Sequence, residues 1–246
     1  MKMMAGLPGA HATHAALNAA REPLNDAADA NAATYLLLAL LLLKIASDTD
    51  AAAQDPDQTY GAPLHWPPTA PGAQLLVVPP EARFELLFRQ RFAPGNDRRI
   101  TTALQQLTQA NRATLAEVFD VLRLHDGWPR DAEQRDVALS RVLGRMTVPA
   151  LDFRPLRGTY RADIGQAVDR LLERSQPRRS PAPVAHVPDP LGWLMAGLMD
   201  PREDETICDV ACHHGSLLLA ASRWARTTPG ARPHQLLGEE EHDTAW

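Results

Sequence analysis

E-T-I-C-D-V-A-C-H-H-G-S-L-L-L-A, residues 205–220, reads as strand, tight turn and helix in immediate succession. Thr206, Ile207 and Cys208 suit a β-strand, and Asp209 stands where a parallel strand would end. Gly215 supplies a turn residue, and Ser216 is placed to cap a helix opening on Leu217, Leu218, Leu219 and Ala220. A turn of this kind brings backbone N–H groups to a helix N-terminus at a sheet edge, where ligands bind. The same stretch contains Cys208, Cys212, His213 and His214, with His234 and His242 further on, and so invites a zinc reading. A strand residue such as Cys208 should instead face the interior, however, and adjacent histidines rarely reach one ion. No metal is therefore expected: Cys208 reads as a small core residue and the histidines as exposed loop. His214-Gly215-Ser216 lacks the second glycine of a nucleophile elbow, so no serine nucleophile is expected either.

Charge is segregated along the chain. Residues 1–80 carry net −4, residues 81–180 carry 18 arginines against 13 carboxylates for net +5, and residues 181–246 carry net −6. A basic middle between acidic ends reads either as a nucleic-acid face or as helices paired internally through Arg and Asp/Glu. Composition alone favours the second. The pairs Arg98-Arg99 and Arg178-Arg179 fall in loops or at helix ends, where phosphate contacts are easily made. Two cysteines cannot form a stapling framework, so a reducing cytoplasm is the natural setting. Tyr35–Leu43, Y-L-L-L-A-L-L-L-L, is a run of nine apolar residues. It is shorter than the roughly 20 that span a bilayer. It also follows Glu22, Asp26 and Asp29, where a signal peptide would be basic, and so reads as a helix buried all round.

Periodicity and punctuation divide the rest. Residues 1–12 read as a loose terminus and 13–176 as a helical domain, interrupted by a Pro-rich loop at 50–80 in which Leu75–Val78 could add a short strand. Apolar faces at helical spacing follow. Pro80 and Glu81 open a helix through Phe88, and Asp97 or Thr101 opens the next. Arg112–Leu124, Arg135–Met146 (with Val137, Leu139, Val142, Leu143 and Met146) and Asp163–Ser175 complete the series. Residues 177–190 are a Pro-rich hinge, and 191–246 carry a helix, the strand–turn–helix and a second strand near Leu236.

The order D-x-A-C-x-x-G at Asp209, Ala211, Cys212 and Gly215 resembles the D-P-A-C-G-S-G loop of the N6-adenine DNA methyltransferases, most closely the methyltransferase subunits of type I restriction–modification systems. Val210 replaces the proline, and His213 and His214 replace the first glycine and the serine. Further segments follow in the family's order. Tyr35–Asp48, ending L-L-L-L-K-I-A-S-D, is similar to a helix ending F-L-K-x-x-S-D. Val78–Phe84 and Ile100–Phe119 resemble parts of the helical domain, and Asp163–Asp169 resembles D-x-x-G-x-x-Y-E. Val187-Pro188 falls at the Thr-Pro of G-x-F-x-T-P, and Leu237–Trp246 resembles L-x-G-Q-E-x-x-P-x-x-W.

The resemblance implies a mainly α chain, with a helical N-terminal domain followed by a truncated Rossmann-like α/β methyltransferase segment. It implies S-adenosylmethionine as cofactor, with Asp209, Ala211, Cys212 and Gly215 in its loop, Glu240 on the ribose hydroxyls and Pro188 packed against it. It also implies DNA as a partner, contacted by Arg98, Arg99, Arg178 and Arg179, and docking on a specificity subunit. The family's Asn-Pro-Pro-aromatic motif, which orients a flipped adenine, does not occur through Trp246, so no catalytic residue is assigned. The chain is therefore expected to be a truncated or divergent adenine-specific methyltransferase, inactive alone, with a degenerate cofactor loop. The alternative is a non-catalytic interaction protein that associates with a complete methyltransferase, a specificity subunit or its own copy. His213 puts a β-carbon where the loop's glycine allows close backbone approach, so weak cofactor affinity is expected.

Overall fold

Alanine carries the highest helix propensity, and the first described element is built on it: α1 spans Ala10–Arg21. The computed structural model describes residues 10–25, 28, 30–53, 76–115, 131–154, 164–165, 167–168, 170–171, 187, 189–202, 205–213, 215–227 and 235–240. The loose terminus expected over 1–12 thus gives way to helix from Ala10, and residues 1–9 lie outside the described set. The chain divides into two compact units, Met1–Pro177 and Arg178–Trp246.

The first unit is helical. After α1 and a 3-10 turn at Glu22–Leu24 comes α2, Ala30–Ala53. It outruns the expected end near Asp48 because Ala51–Ala53 carry the helix on, into what was read as the loop at 50–80. The remainder of that loop to residue 75 is outside the described residues. A 3-10 turn at Pro80–Ala82 precedes α3 (Phe84–Arg89), α4 (Asn96–Ala110), α5 (Arg112–Leu115) and α6 (Ala132–Arg145), and a third 3-10 turn covers Pro149–Leu151. The single helix expected from Pro80 to Phe88 is broken at Arg83, whose backbone is extended. The strand expected at Leu75–Val78 does not form over its described residues. Val77 instead donates its N–H to the Asn111 side chain at 2.9 Å and accepts the Asn111 amide at 2.8 Å, so one side chain supplies what a partner strand would. Ala167 and Leu171 reach the core from the helical residues beyond 163.

Most of α2 is buried, with Leu36, Leu37, Leu40 and Leu43 fully so. Over Ala32–Ala52 it is long and apolar enough to cross a membrane by length and composition. Here its neighbours are protein: Thr34, Lys44, Ser47, Asp48 and Thr49 are buried along with the leucines. Burying those polar groups without partners would be costly, and each of the central three has one. Lys44 Nζ donates to Asp48 Oδ2 one turn on, and the Phe153 N–H donates to the same oxygen at 2.9 Å. Ser47 Oγ accepts the Phe84 N–H at 3.0 Å. The Lys44 ammonium also faces the Phe84 and Phe153 rings, 5.4 and 5.9 Å from their centroids. Burial pushes the Asp48 carboxyl above the ordinary carboxylate value, and Lys44 is the chief influence drawing it back.

A second polar joint fixes α4 on α6. The Asp136 carboxylate accepts the N–H groups of Gly95 and Asn96, each at 2.7 Å, at the start of α4. Gly95 sits at φ +87°, where a side chain would be strained. Asp131 caps α6 by accepting from the N–H groups of Glu133 and Gln134. Its buried face is Ala138, Leu139, Val142, Leu143 and Met146. Val137, expected on that face, is exposed, because Ala138 takes the inward position beside Leu139.

The second unit holds α7 (Asp189–Met199), β1 (Thr206–Asp209), α8 (Ser216–Thr227) and β2 (Gln235–Gly238). The two strands pair in parallel, with Thr206 opposite Gln235 and Asp209 opposite Gly238, and α8 is the crossover. Helix α7 packs on α8 because it has glycine where contact is tightest. A Cβ at Gly192 would lie 3.2 Å from the Ala220 Cβ, and one at Gly197 would lie 3.0 Å from the Trp224 ring. Trp193 meets Trp224 edge to face at 5.7 Å.

Replacing Lys44 with Met keeps the bulk but leaves Asp48 buried without its counter-charge. Chemical denaturation of K44M should show a loss of about 3–5 kcal/mol, as for other broken buried pairs. Restoring charge balance with K44M/D48L should recover part of that loss; a K44M loss below about 1 kcal/mol would mean that water already reaches the pair.

Candidate functional site

β1 ends at Asp209, and the backbone turns at once: Ala211 N–H donates to Asp209 Oδ1 at 3.2 Å. Pairing with β2 then continues past both strand ends. Glu239 N–H donates to the Asp209 carbonyl and Cys212 N–H to the Glu239 carbonyl, each at 2.9 Å. Gly215 closes the turn by donating to the Cys212 carbonyl at 2.7 Å. It does so at φ +71°, and a Cβ there would meet nothing within 4 Å, so conformation rather than space calls for glycine. The Gly215 carbonyl accepts the Leu219 N–H at 2.8 Å. Gly215 therefore holds the cap position expected of Ser216, which is the first residue of α8.

Cys208 does not take the core place expected of it. Ile207 is the buried residue of β1, so strand alternation turns Cys208 outward to solvent. Cys212 is buried instead, folded back onto the end of β2. A Cβ at Gly238 would lie 2.8 Å from Cys212 Sγ, so the thiol occupies the space that only glycine leaves. Burial pushes the Cys212 thiol up, and the Asp209 and Glu240 carboxylates add to the shift. Among the described residues no group of three His, Cys, Asp or Glu side chains is arranged to hold a metal ion.

His213 completes the turn. Its backbone is left-handed at φ +48°, and its N–H donates to Glu240 Oε2 at 2.8 Å. Its Nδ1 lies 3.0 Å from the same oxygen. The Glu240 side chain is 4% exposed, and the imidazole that covers it is 34% exposed.

Asp209, Ala211, Cys212, Gly215 and Glu240 are thus brought to one turn, whereas Pro188 and His214 lie outside the described residues. The cofactor contact that the resemblance implies would use the Glu240 carboxylate for ribose hydroxyls and an open backbone at 213. In this arrangement the His213 ring holds the acid, and the residues do not fit S-adenosylmethionine. No signal in the sequence pointed to that contact, because its partners are separated by 27 positions.

The arginines sort by partner. Arg99 spends its guanidinium on the α3–α4 loop, donating to the carbonyls of Gln90, Ala93 and Pro94 and to Asn96 Oδ1. Arg135 pairs with Asp97 at 3.1 Å, Arg83 with Asp50 at 2.9 Å, and Arg145 with Glu22. Arg98 is exposed, as are Arg89, Arg112 and Arg141, and none of their guanidinium groups has a partner among the described residues. Arg178 and Arg179 lie outside the described residues. Beside the loop is a groove of about 630 Å³ lined by Phe92, Pro94, Val137 and Arg141, with Arg91 stacked on the Phe88 and Phe92 rings at 3.9 and 4.1 Å. Sequence reading did not single it out.

No family model matches the chain. Over 80 residues it is 31% identical to the type I restriction enzyme MjaVIII methylase subunit of Methanocaldococcus jannaschii, a match covering 32% of this chain and 13% of that protein. Its fold is similar to the crystal structure of the type I restriction-modification system methyltransferase subunit from Streptococcus thermophilus. There the TM-score is 0.69 at 18% identity, over 97% of this chain and 54% of that one. The chain therefore spans about half the length of the solved subunit and a smaller share of the curated relative. The chain is thus similar in sequence, over part of its length, to one type I restriction–modification methylase subunit, and similar in fold, over nearly all of it, to a solved one.

Proposed function

We propose that the chain is a divergent protein of the adenine-modification type that contacts DNA and a partner subunit through its helical unit and does not transfer methyl groups by itself. The turn between β1 and α8 carries this reading. Asp209 closes β1 and Glu240 follows β2 by two residues, at the carboxyl ends of two parallel strands, the side of an open α/β sheet on which nucleosides bind, and Glu240 is held by His213. In this reading the β1–α8–β2 unit is the opening of a Rossmann-like domain with a degenerate S-adenosylmethionine loop. DNA and a specificity subunit are the partners, and the setting is cytoplasmic. Incubation of the purified chain with labelled S-adenosylmethionine and adenine-rich duplex should leave the DNA unlabelled. Label in N6-methyladenine above a contaminant control would overturn the reading.

The geometry also divides the arginine pair proposed for DNA. Arg98 can reach a phosphate, whereas Arg99 already satisfies the loop. The full chain should shift duplex DNA weakly at low salt and lose it steeply as salt rises. R98A should weaken binding for all sequences and flatten the salt slope by about one unit. R99A should act mainly by lowering the unfolding midpoint. Equal effects of the two on DNA binding at unchanged stability would contradict this division.

The second reading, a non-catalytic interaction protein, is favoured by a different observation. Leu191, Leu194, Met195, Leu198 and Met199 are exposed at the spacing of one face of α7. Sedimentation of the free chain separates the two: a stable self-associated form that sheds DNA would favour the second.

A further inference from the structure

The His213–Glu240 contact deepens the cofactor-loop reading proposed above and rests on it. A left-handed backbone is uncommon for residues other than glycine, less so for histidine than for most, and contacts favour it at residue 213. What holds it is Glu240: one carboxylate oxygen receives both the His213 N–H at 2.8 Å and the imidazole at 3.0 Å. The acid is nearly buried. Two carboxylates, Asp209 and Glu240, end adjacent parallel strands, which is where a nucleoside would seat its ribose. A ribose diol recognises a carboxylate by donating hydrogen bonds to it, and the ring stands on one of the two oxygens that could accept them.

We infer that His213 is a built-in occupant of this site, its imidazole holding Glu240 in place of a ribose diol, so that a nucleoside enters only when the ring leaves. The two contacts are separable. The N–H belongs to the backbone and survives any replacement except proline, so Glu240 stays aimed at the turn when the ring is removed. Glycine at 213 therefore clears the site and relaxes the backbone together, whereas alanine clears the site but keeps a β-carbon at positive φ.

The test is calorimetric titration of the full-length chain with S-adenosylhomocysteine, which binds such sites without donating a methyl group. H213G should bind at least tenfold more tightly than the unmodified chain, H213A should gain less, and H213G/E240Q should lose the gain. Thermal unfolding of each variant checks that the fold is kept, and H213A carries the comparison if H213G does not fold. If the unmodified chain already binds as tightly as H213G and H213A, His213 is not an occupant, and the cofactor reading stands alone. If no folded variant binds, the inference fails and the reading of Glu240 as a nucleoside acid fails with it.

Discussion

An ammonium and a carboxylate lie side by side inside α2, and the helical unit is organised around them. A helix with leucine on nearly every side has no preferred rotation, because apolar contacts are non-directional and any face will bury. Lys44, Ser47 and Asp48 remove that freedom. Their hydrogen bonds fix two backbone positions, Phe84 and Phe153, which lie 37 and 105 residues from their partners along the chain. Two buried rings then close over the ammonium, so desolvation of the pair is offset by directed contacts. The Asp136 joint does the same for α4 on α6. In both cases a few polar groups choose among packings that the hydrophobic effect alone would leave nearly equivalent.

The C-terminal unit has a different economy. Its core is small: glycines on α7 let α8 approach, and one isoleucine of β1 is buried. The turn is held by backbone hydrogen bonds running on from the strand pairing, which set Asp209 and Glu239 side by side. Cys212 fills the space over Gly238 and leaves Cys208 outside. A turn so constrained positions residue 213 tightly against Glu240, and a change of one residue type at that point alters what the site can accept.

These two units bear on function in opposite ways. The helical unit has a fold shared with a type I methyltransferase subunit and presents exposed arginines without a partner among the described residues, beside others that are paired internally. The segregated charge of the chain is thus partly a folding device and partly a surface property. In the proposed reading the α/β unit is the framework of a nucleoside site whose acid is held by its own histidine.

Sequence alone determined the local elements. The turn and helix after Asp209, the buried character of α2 and the apolar faces of α4 and α6 all follow from propensity and spacing among residues a few positions apart. The family resemblance was legible for the same reason, since it rests on short ordered motifs. Only the tertiary structure decided the partnerships. It alone shows that Arg99 is spent on a loop while Arg98 is not, that Cys212 rather than Cys208 is buried, that Asn111 substitutes for a strand beside Val77, and that His213 sits on Glu240. Backbone preference is set by near neighbours, but a side chain's partner is chosen by whatever segment folds against it. Residues 27 positions apart have no local reason to meet until β1 and β2 pair.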